Sequence, residues 1–243
     1  MREKYGLTGN ALKIIAAISM FIDHMGLIFF PGVELFRILG RIALPIFAFM
    51  IAEGCKYTKN RLRYFLSVFL LAALCQIVYF IYDGDTYMSI LVTFSISILV
   101  IYLMQMAKEA LSDNDVKLIT KIFFVVLFVL SVILVYILNQ YIEIDYGFYG
   151  CMLPVFASAF HKTRKNATKF FEKFDCIYIH ILILCVGMLL LALNSDTRQF
   201  WSFAAIPFLF LYSGKRGKAN MKYFFYIFYP LHLVFLEFLG MIV

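Results

Sequence analysis

The sequence predicts an all-α fold, a polytopic membrane bundle of about nine transmembrane helices with a range of eight to ten. Three observations carry that expectation. Of 243 residues, 63% are hydrophobic and only 15% are charged, against about 25% charged in soluble domains. The apolar residues fall into runs near the ~20 residues needed to cross ~30 Å of hydrocarbon. The polar segments between them are too short to fold alone, so a single membrane domain is expected to occupy residues 1–243.

In chain order, the first run covers residues 11–30 and ends at Pro31-Gly32, a tight turn that makes the first two runs an antiparallel hairpin. It carries no A-x-A cleavage signal and is expected to be retained. The second run, 35–52, contains Pro45, which removes a helical hydrogen bond and is expected to kink the helix. Runs 62–82, 88–107 and 119–138 have full spanning length. Runs 146–160 and 200–212 are short, with 177–193 between them, and 223–243 closes the set. Asp145-Tyr146-Gly147 opens the sixth run, where an N-cap carboxylate is the ordinary reading.

Orientation follows from Lys and Arg, which are retained on the cytoplasmic side. Arg2 and Lys4, then Lys56, Lys59, Arg61 and Arg63, fall in one set of connecting segments. Lys108, Lys117 and Lys121, then Lys162, Arg164, Lys165, Lys169 and Lys173, and finally Lys215, Arg216, Lys218 and Lys222, complete 18 of the 22 basic residues there. The opposite segments hold only Arg198, beside Asp83, Asp85, Glu143, Asp145 and Asp196. The N-terminus is thus expected inside and the C-terminus outside, in a multi-pass protein of the cytoplasmic membrane. The net charge of +7 lies between apolar runs rather than along an amphipathic face, which argues against nucleic acid and for anionic headgroups as neighbours.

The five cysteines, Cys55, Cys75, Cys151, Cys176 and Cys185, are odd in number and sit in or beside apolar runs. They read as small core residues, and no metal is expected. No G-x-G-x-x-G, Walker loop, H-E-x-x-H or G-x-S-x-G occurs.

Three basic residues, Lys13, Arg37 and Arg41, fall inside runs, together with Asp23, His24 and His232. Ionisable groups at membrane depth are costly and face a bundle interior or a wet cavity. His24 follows Lys13 by eleven positions, about three turns, so both lie on one helix face about 16 Å apart. A cation at the entry and an imidazole deeper on the same stripe suit an anionic ligand whose reactive end reaches the centre. The plainer alternative has Lys13 snorkelling to headgroups and His24 bonded to backbone. Asp23 supplies a carboxylate to fix the His24 tautomer, as a general base requires. Arg37 and Arg41 share a face and call for a carboxylate, with Asp23 a candidate, or for a bound anion. His232 follows Tyr229-Pro230 near the middle of the last run. The loop Tyr212-Ser213-Gly214-Lys215-Arg216-Gly217-Lys218 suits phosphates, although positive-inside bias explains it equally.

With these residues in place, the sequence resembles the TraX family almost end to end. The resemblance rests on Leu12-Lys13 with Ile22-Asp23-His24-Met25-Gly26, on Gly40-Arg41-Ile42-Ala43-Leu44-Pro45-Ile46-Phe47-Ala48-Phe49 with Glu53-Gly54, and on Tyr146-Gly147 with Gly150. Leu211-Tyr212-Ser213-Gly214-Lys215-Arg216-Gly217 and Phe225-Tyr226-Ile227-Phe228-Tyr229-Pro230-Leu231-His232-Leu233 complete it. The namesake of that family is linked to N-terminal acetylation of the conjugative pilin. The family is similar in turn to transmembrane acyltransferases, including acyltransferase-3 enzymes, whose first span holds an Arg and a His separated by ten residues; here Lys13 and His24 have that spacing. The resemblance implies acetyl-CoA or another acyl-CoA as donor, His24 as the catalytic residue, and an acceptor amine or hydroxyl at or beyond the outer leaflet. In that scheme Asp23 orients the His24 ring, while Arg41, Tyr229 or His232 stabilises the oxyanion. Lys13, Arg37, Tyr229, Lys215, Arg216 and Lys218 hold the donor. A pilin-like peptide, a glycan and a lipid headgroup all qualify as acceptor.

Two other classes compete. A proton-coupled transporter or flippase would use Asp23, His24, Arg41 and His232 as a relay, and its inverted repeat is not evident. A membrane scaffold would show small-residue faces without buried titratable groups, which the histidines argue against.

Overall fold

The computed structural model describes residues 6–83, 87–163 and 169–242. Arg2, Lys4, Asp85, Arg164 and Lys165, used above for orientation, lie outside the described residues. The elements in chain order are α1 (Gly9–Phe29), α2 (Glu34–Gly40), α3 (Ala43–Tyr57), α4 (Arg61–Asp83), α5 (Ile90–Ser112), α6 (Leu118–Tyr141), α7 (Gly147–Ser158), α8 (Lys169–Phe174) and α9 (Ile177–Leu193). A 3₁₀ segment (Thr197–Ala205), α10 (Ile206–Phe210) and α11 (Lys222–Gly240) follow. The fold is all-helical. Among the described residues, extended pairing is limited to the isolated bridges Leu7 to Tyr212 and Met88 to Ile144.

Among the described residues, six helical stretches are long and apolar enough to cross a membrane: Gly9–Phe29, Glu34–Tyr57, Arg61–Val78, Ile90–Ser112, Leu118–Tyr141 and Tyr223–Gly240. Gly147–Ser158 and Ile177–Leu193 are apolar but shorter. The 12 residues of α7 rise only about 18 Å. The exposed faces of these helices are themselves apolar, as with Ile119, Phe123, Leu130 and Leu134 on α6, which is the surface a lipid solvent requires.

The stretch read from sequence as one span at 35–52 forms two helices joined through Arg41 and Ile42, whose N–H groups bond back three residues to Ile38 and Leu39. The cause is Pro45, whose ring clashes with the carbonyl four residues earlier, that of Arg41. The break therefore lies a turn before the proline. Pro45 itself sits in the first turn of α3, where a missing N–H costs nothing.

The stretch expected at 200–212 is a nine-residue 3₁₀ segment followed by the five residues of α10. At about 2.0 Å per 3₁₀ residue and 1.5 Å per α residue, it extends about 26 Å. Its buried residues are Gln199, Ser202 and Ala205, spaced by three as side chains eclipse at three residues per turn.

The chain divides into two compact units, one of residues 1–50 and 188–243 and the other of residues 51–187. In the first, α1 packs on α2 and on α11, and α2 packs on the 3₁₀ segment. Close approach of α1 and α2 depends on two glycines. A Cβ at Gly26 would overlap the Phe36 side chain, and one at Gly40 would overlap the Asp23 carboxylate. The Ser19 hydroxyl donates to the carbonyls of Leu39 and Gly40 at 2.6 and 3.2 Å, satisfying the end of α2. The start of α1 is held by the loop before α11: the N–H groups of Gly9 and Asn10 donate to Lys215 and Arg216 carbonyls at 2.8 and 3.0 Å. Thr8 caps Ala11 N–H at 3.2 Å.

In the second unit α5 is central, packing on α4, α6 and α7. Thr93 and Ser97 donate to the Asp145 and Cys151 carbonyls at 2.9 and 2.7 Å. Asp145 does not cap α7. Tyr146 occupies the N-cap position in a left-handed conformation with φ 58°, followed by Gly147 at φ 57°. The Asp145 carboxylate instead accepts from the Tyr87 hydroxyl at 2.7 Å. Burial and the facing Asp145 charge both push the Tyr87 phenol pKa well above its usual range. Of the five cysteines, Cys55, Cys75 and Cys151 are buried, and Cys176 and Cys185 are half-buried.

An intramembrane histidine pair as candidate active site

His24 lies late in α1 and His232 in the middle of α11, and packing of those helices brings the rings together. Their centroids are 5.2 Å apart with planes at 81°. Each ring is fixed in the same way. His24 Nδ1 lies 2.9 Å from the Met20 carbonyl and His232 Nδ1 lies 2.9 Å from the Phe228 carbonyl. A carbonyl only accepts, so in both rings Nδ1 carries the proton and donates, and in the neutral imidazole Nε2 keeps its lone pair. A backbone carbonyl one turn earlier thus performs the task the sequence assigned to Asp23. His232 is 4% exposed, and its Nε2 is buried without a hydrogen-bond partner. Phe228 stacks on the His232 ring at 4.9 Å and Tyr229 meets its edge at 5.7 Å.

Asp23 turns the other way. Adjacent helical residues point about 100° apart, so while His24 faces α11, Asp23 faces α2. Its Oδ2 accepts from Arg37 at 2.8 Å, and its Oδ1 lies 4.0 Å from Arg41. The three side chains are between 13% and 21% exposed, dry enough that charge, not geometry alone, holds α2 on α1. The expected pairing of Arg37 and Arg41 with Asp23 is present; the expected contact between Asp23 and His24 is replaced by this ion cluster.

At the opposite end of the same two helices lies the basic loop. Gly214 and Gly217 adopt φ of 75° and 100°, conformations that favour glycine, and Lys215, Arg216 and Lys218 are exposed. The loop's carbonyls at 215 and 216 are engaged by α1, which fixes the backbone that carries these exposed cations. Lys13 lies one turn into α1 with its Nζ 5.9 Å above the Phe225 ring of α11. Along the α1–α11 seam, the cation precedes the histidine pair by about 16 Å on α1, from the rise per residue.

A second polar cluster, in the other unit, was invisible in the sequence. Glu53, His161 and His180 are 6%, 2% and 3% exposed. Glu53 Oε1 is 3.5 Å from His161 Nε2, the two imidazoles pack edge to face at 4.3 Å, and His180 Nε2 is 3.1 Å from Asp175 Oδ1. Lys56 donates to that same oxygen at 2.7 Å. Lys108, read above as a loop residue, is 8% exposed and donates to the Ala159 carbonyl at 2.5 Å. Burial, then the charges of His180 and Lys56, drive the His161 pKa well below its ordinary value. Burial works against the Asp175 carboxylate, but its bonds to His180 and Lys56 outweigh that and hold its pKa below the usual range. No spacing rule links these residues. Only His161 next to a run and His180 inside one hinted at them.

The fold defines a class: an all-helical protein with six candidate membrane-spanning helices among its described residues, two of which bring a pair of histidines together. The chain belongs to the TraX family, whose model, described as TraX protein, matches residues 8–240. It is 27% identical over 259 aligned positions to "Probable fimbrial assembly protein FimC, serogroup H1" of Dichelobacter nodosus, covering 97% of each chain. It is 43% identical over 54 residues to an uncharacterised protein of Rickettsia prowazekii (strain Madrid E), covering 22% of this chain and 21% of that one. No solved structure matches it.

Proposed function

We propose that this protein is a membrane-bound acyltransferase that moves an acetyl group from cytosolic acetyl-CoA to an acceptor amine or hydroxyl at the outer side of the cytoplasmic membrane. The observation that carries the reading is the His24–His232 pair, with both Nδ1 protons committed to backbone and both Nε2 lone pairs left for chemistry. In this reading nine segments cross the membrane with the N-terminus inside, the short α7 and α9 and the 3₁₀–α10 stretch supplying three of them. Lys215, Arg216 and Lys218 then face the cytosol, where exposed cations suit the phosphates of CoA. Lys13 continues that charge to the mouth of the seam, and the pantetheine arm follows it toward the histidines.

The transfer balances as a direct displacement. The acceptor nitrogen or oxygen attacks the thioester carbonyl while Nε2 of one histidine takes its proton. The tetrahedral oxyanion is stabilised by Arg41 or by Tyr229. It collapses with cleavage of the C–S bond, and the thiolate of CoA recovers the proton. Asp23 and Arg37 act by fixing α2, and so Arg41, beside the site. The fimbrial name of the Dichelobacter relative favours a pilin-like subunit as acceptor.

Purified protein in nanodiscs, supplied with labelled acetyl-CoA and a peptide with a free N-terminus, should transfer label. His24→Asn and His232→Asn keep a donor near the Nδ1 position but remove Nε2, so each should fold normally and lower transfer at least 100-fold, the scale of general base catalysis. Full transfer by both variants would refute the assignment.

A further inference from the structure

We propose that Glu53, His161 and His180 form a zinc site, separate in residues and chemistry from the histidine pair and outside the acyl-transfer reading. The three residues each offer one donor atom, and these atoms lie within 4.8 Å of one another in a fully buried cluster. Two imidazoles and a carboxylate are the borderline donor set that zinc takes in tetrahedral coordination. With zinc bonds of about 2.1 Å, neighbouring ligands of a tetrahedron stand about 3.4 Å apart. Glu53 Oε1 and His161 Nε2 are already at 3.5 Å, too long for a hydrogen bond of ordinary strength and the right spacing for two ligands of one ion.

A second, independent observation points to a ligand. Both ring nitrogens of His161 are buried without a hydrogen-bond partner, although the ring is only 2% exposed. Buried polar groups are nearly always satisfied, and an imidazole with two orphaned nitrogens is costly unless something outside the chain completes it. Asp175, 3.1 Å from His180 Nε2, is placed to orient that ring. Lys56 on Asp175 and Lys108 on the end of α7 place cations beside the cluster, so the two carboxylates are needed to offset them before a divalent ion is added. The ion would tie the last turn of α3, the segment after α7 and the first turn of α9 at one point, a structural role rather than a catalytic one.

The test uses the full chain with a tag free of histidine, purified in detergent, stripped with chelator, reloaded with Zn²⁺ and gel-filtered. About one zinc per chain is expected by atomic emission, with competition against a chromophoric chelator giving a submicromolar Kd. Glu53→Gln and His180→Gln should retain the elution profile and weaken zinc at least tenfold, and zinc should raise the wild-type Tm without raising that of His180→Gln. Co²⁺ in the wild type should show the intense visible absorption of tetrahedral coordination, a readout that needs no variant. His24→Asn and His232→Asn should keep the zinc. A folded wild type that binds none, or stoichiometry untouched by both Gln variants, or loss of zinc on removing His24 or His232, would each overturn the site.

Discussion

Replacing Asp23 with Asn keeps the shape of the side chain and removes its charge, leaving Arg37 at 2.8 Å and Arg41 at 4.0 Å facing a neutral amide. At an effective dielectric near 20, Coulomb's law gives about 6 and 4 kcal/mol for charges at those separations. Most of that is returned as desolvation. Breaking a buried pair costs about 3–5 kcal/mol and an exposed one 0–1 kcal/mol. Side-chain exposures of 13–21% place this cluster between the two, and the expected loss is about 2–3 kcal/mol. Reversible unfolding in mixed micelles with increasing SDS measures it. Arg37→Gln alone should cost a similar amount, and the double variant little more than either, giving a coupling energy near 2 kcal/mol in the cycle. A coupling energy below about 0.5 kcal/mol would refute the anchoring role. If Asp23→Asn instead left stability unchanged but shifted the pH profile of transfer, with Arg37→Gln having no such effect, Asp23 would be acting on His24 directly.

Further consequences concern packing and hydrogen bonds. Gly26→Ala and Gly40→Ala each drive a methyl into Phe36 or Asp23 and should cost about 1–3 kcal/mol by overpacking; SDS midpoints within error of wild type would count against the close α1–α2 contact. Ser19→Ala strips the donor from the Leu39 and Gly40 carbonyls and should cost about 1–3 kcal/mol, measured in the same way. Tyr87→Phe removes the hydroxyl that meets Asp145 and should cost about 1 kcal/mol or less at this exposed site. Because the folded-state phenol pKa is raised, the wild-type advantage over Tyr87→Phe should persist up to the ordinary tyrosine range near pH 10 and be lost as pH rises further. An advantage that grows with alkalinity would contradict the hydrogen bond.

Length and polarity made most of the helices legible. The run read at 177–193 coincides with α9, and those at 11–30, 62–82 and 119–138 end within three residues of their helices. What hydropathy lacks is helix type and continuity. A window over 200–212 records apolar content but not that it folds as 3₁₀; the spacing of Gln199, Ser202 and Ala205 carried that period, in polar residues that an apolar count discards. Likewise Pro45 announced a break, but its position follows from a clash with a carbonyl four residues back, so the discontinuity appears at Arg41 and Ile42.

The candidate site was legible in membership and not in wiring. Asp23, His24, Arg37, Arg41 and His232 stand out because titratable groups are rare in apolar runs. Adjacency then misled. Neighbours in a helix diverge by about 100°, so a carboxylate one residue from a histidine is badly placed to bond its ring, whereas the carbonyl one turn earlier lies directly along Nδ1. That geometry lets Asp23 bind α2 to α1 and leaves Nε2 of each neutral ring with its lone pair. The cluster at Glu53 shows the converse limit, since Glu53, His161 and His180 come from three separate helical regions, and nothing short of tertiary packing brings their donors together.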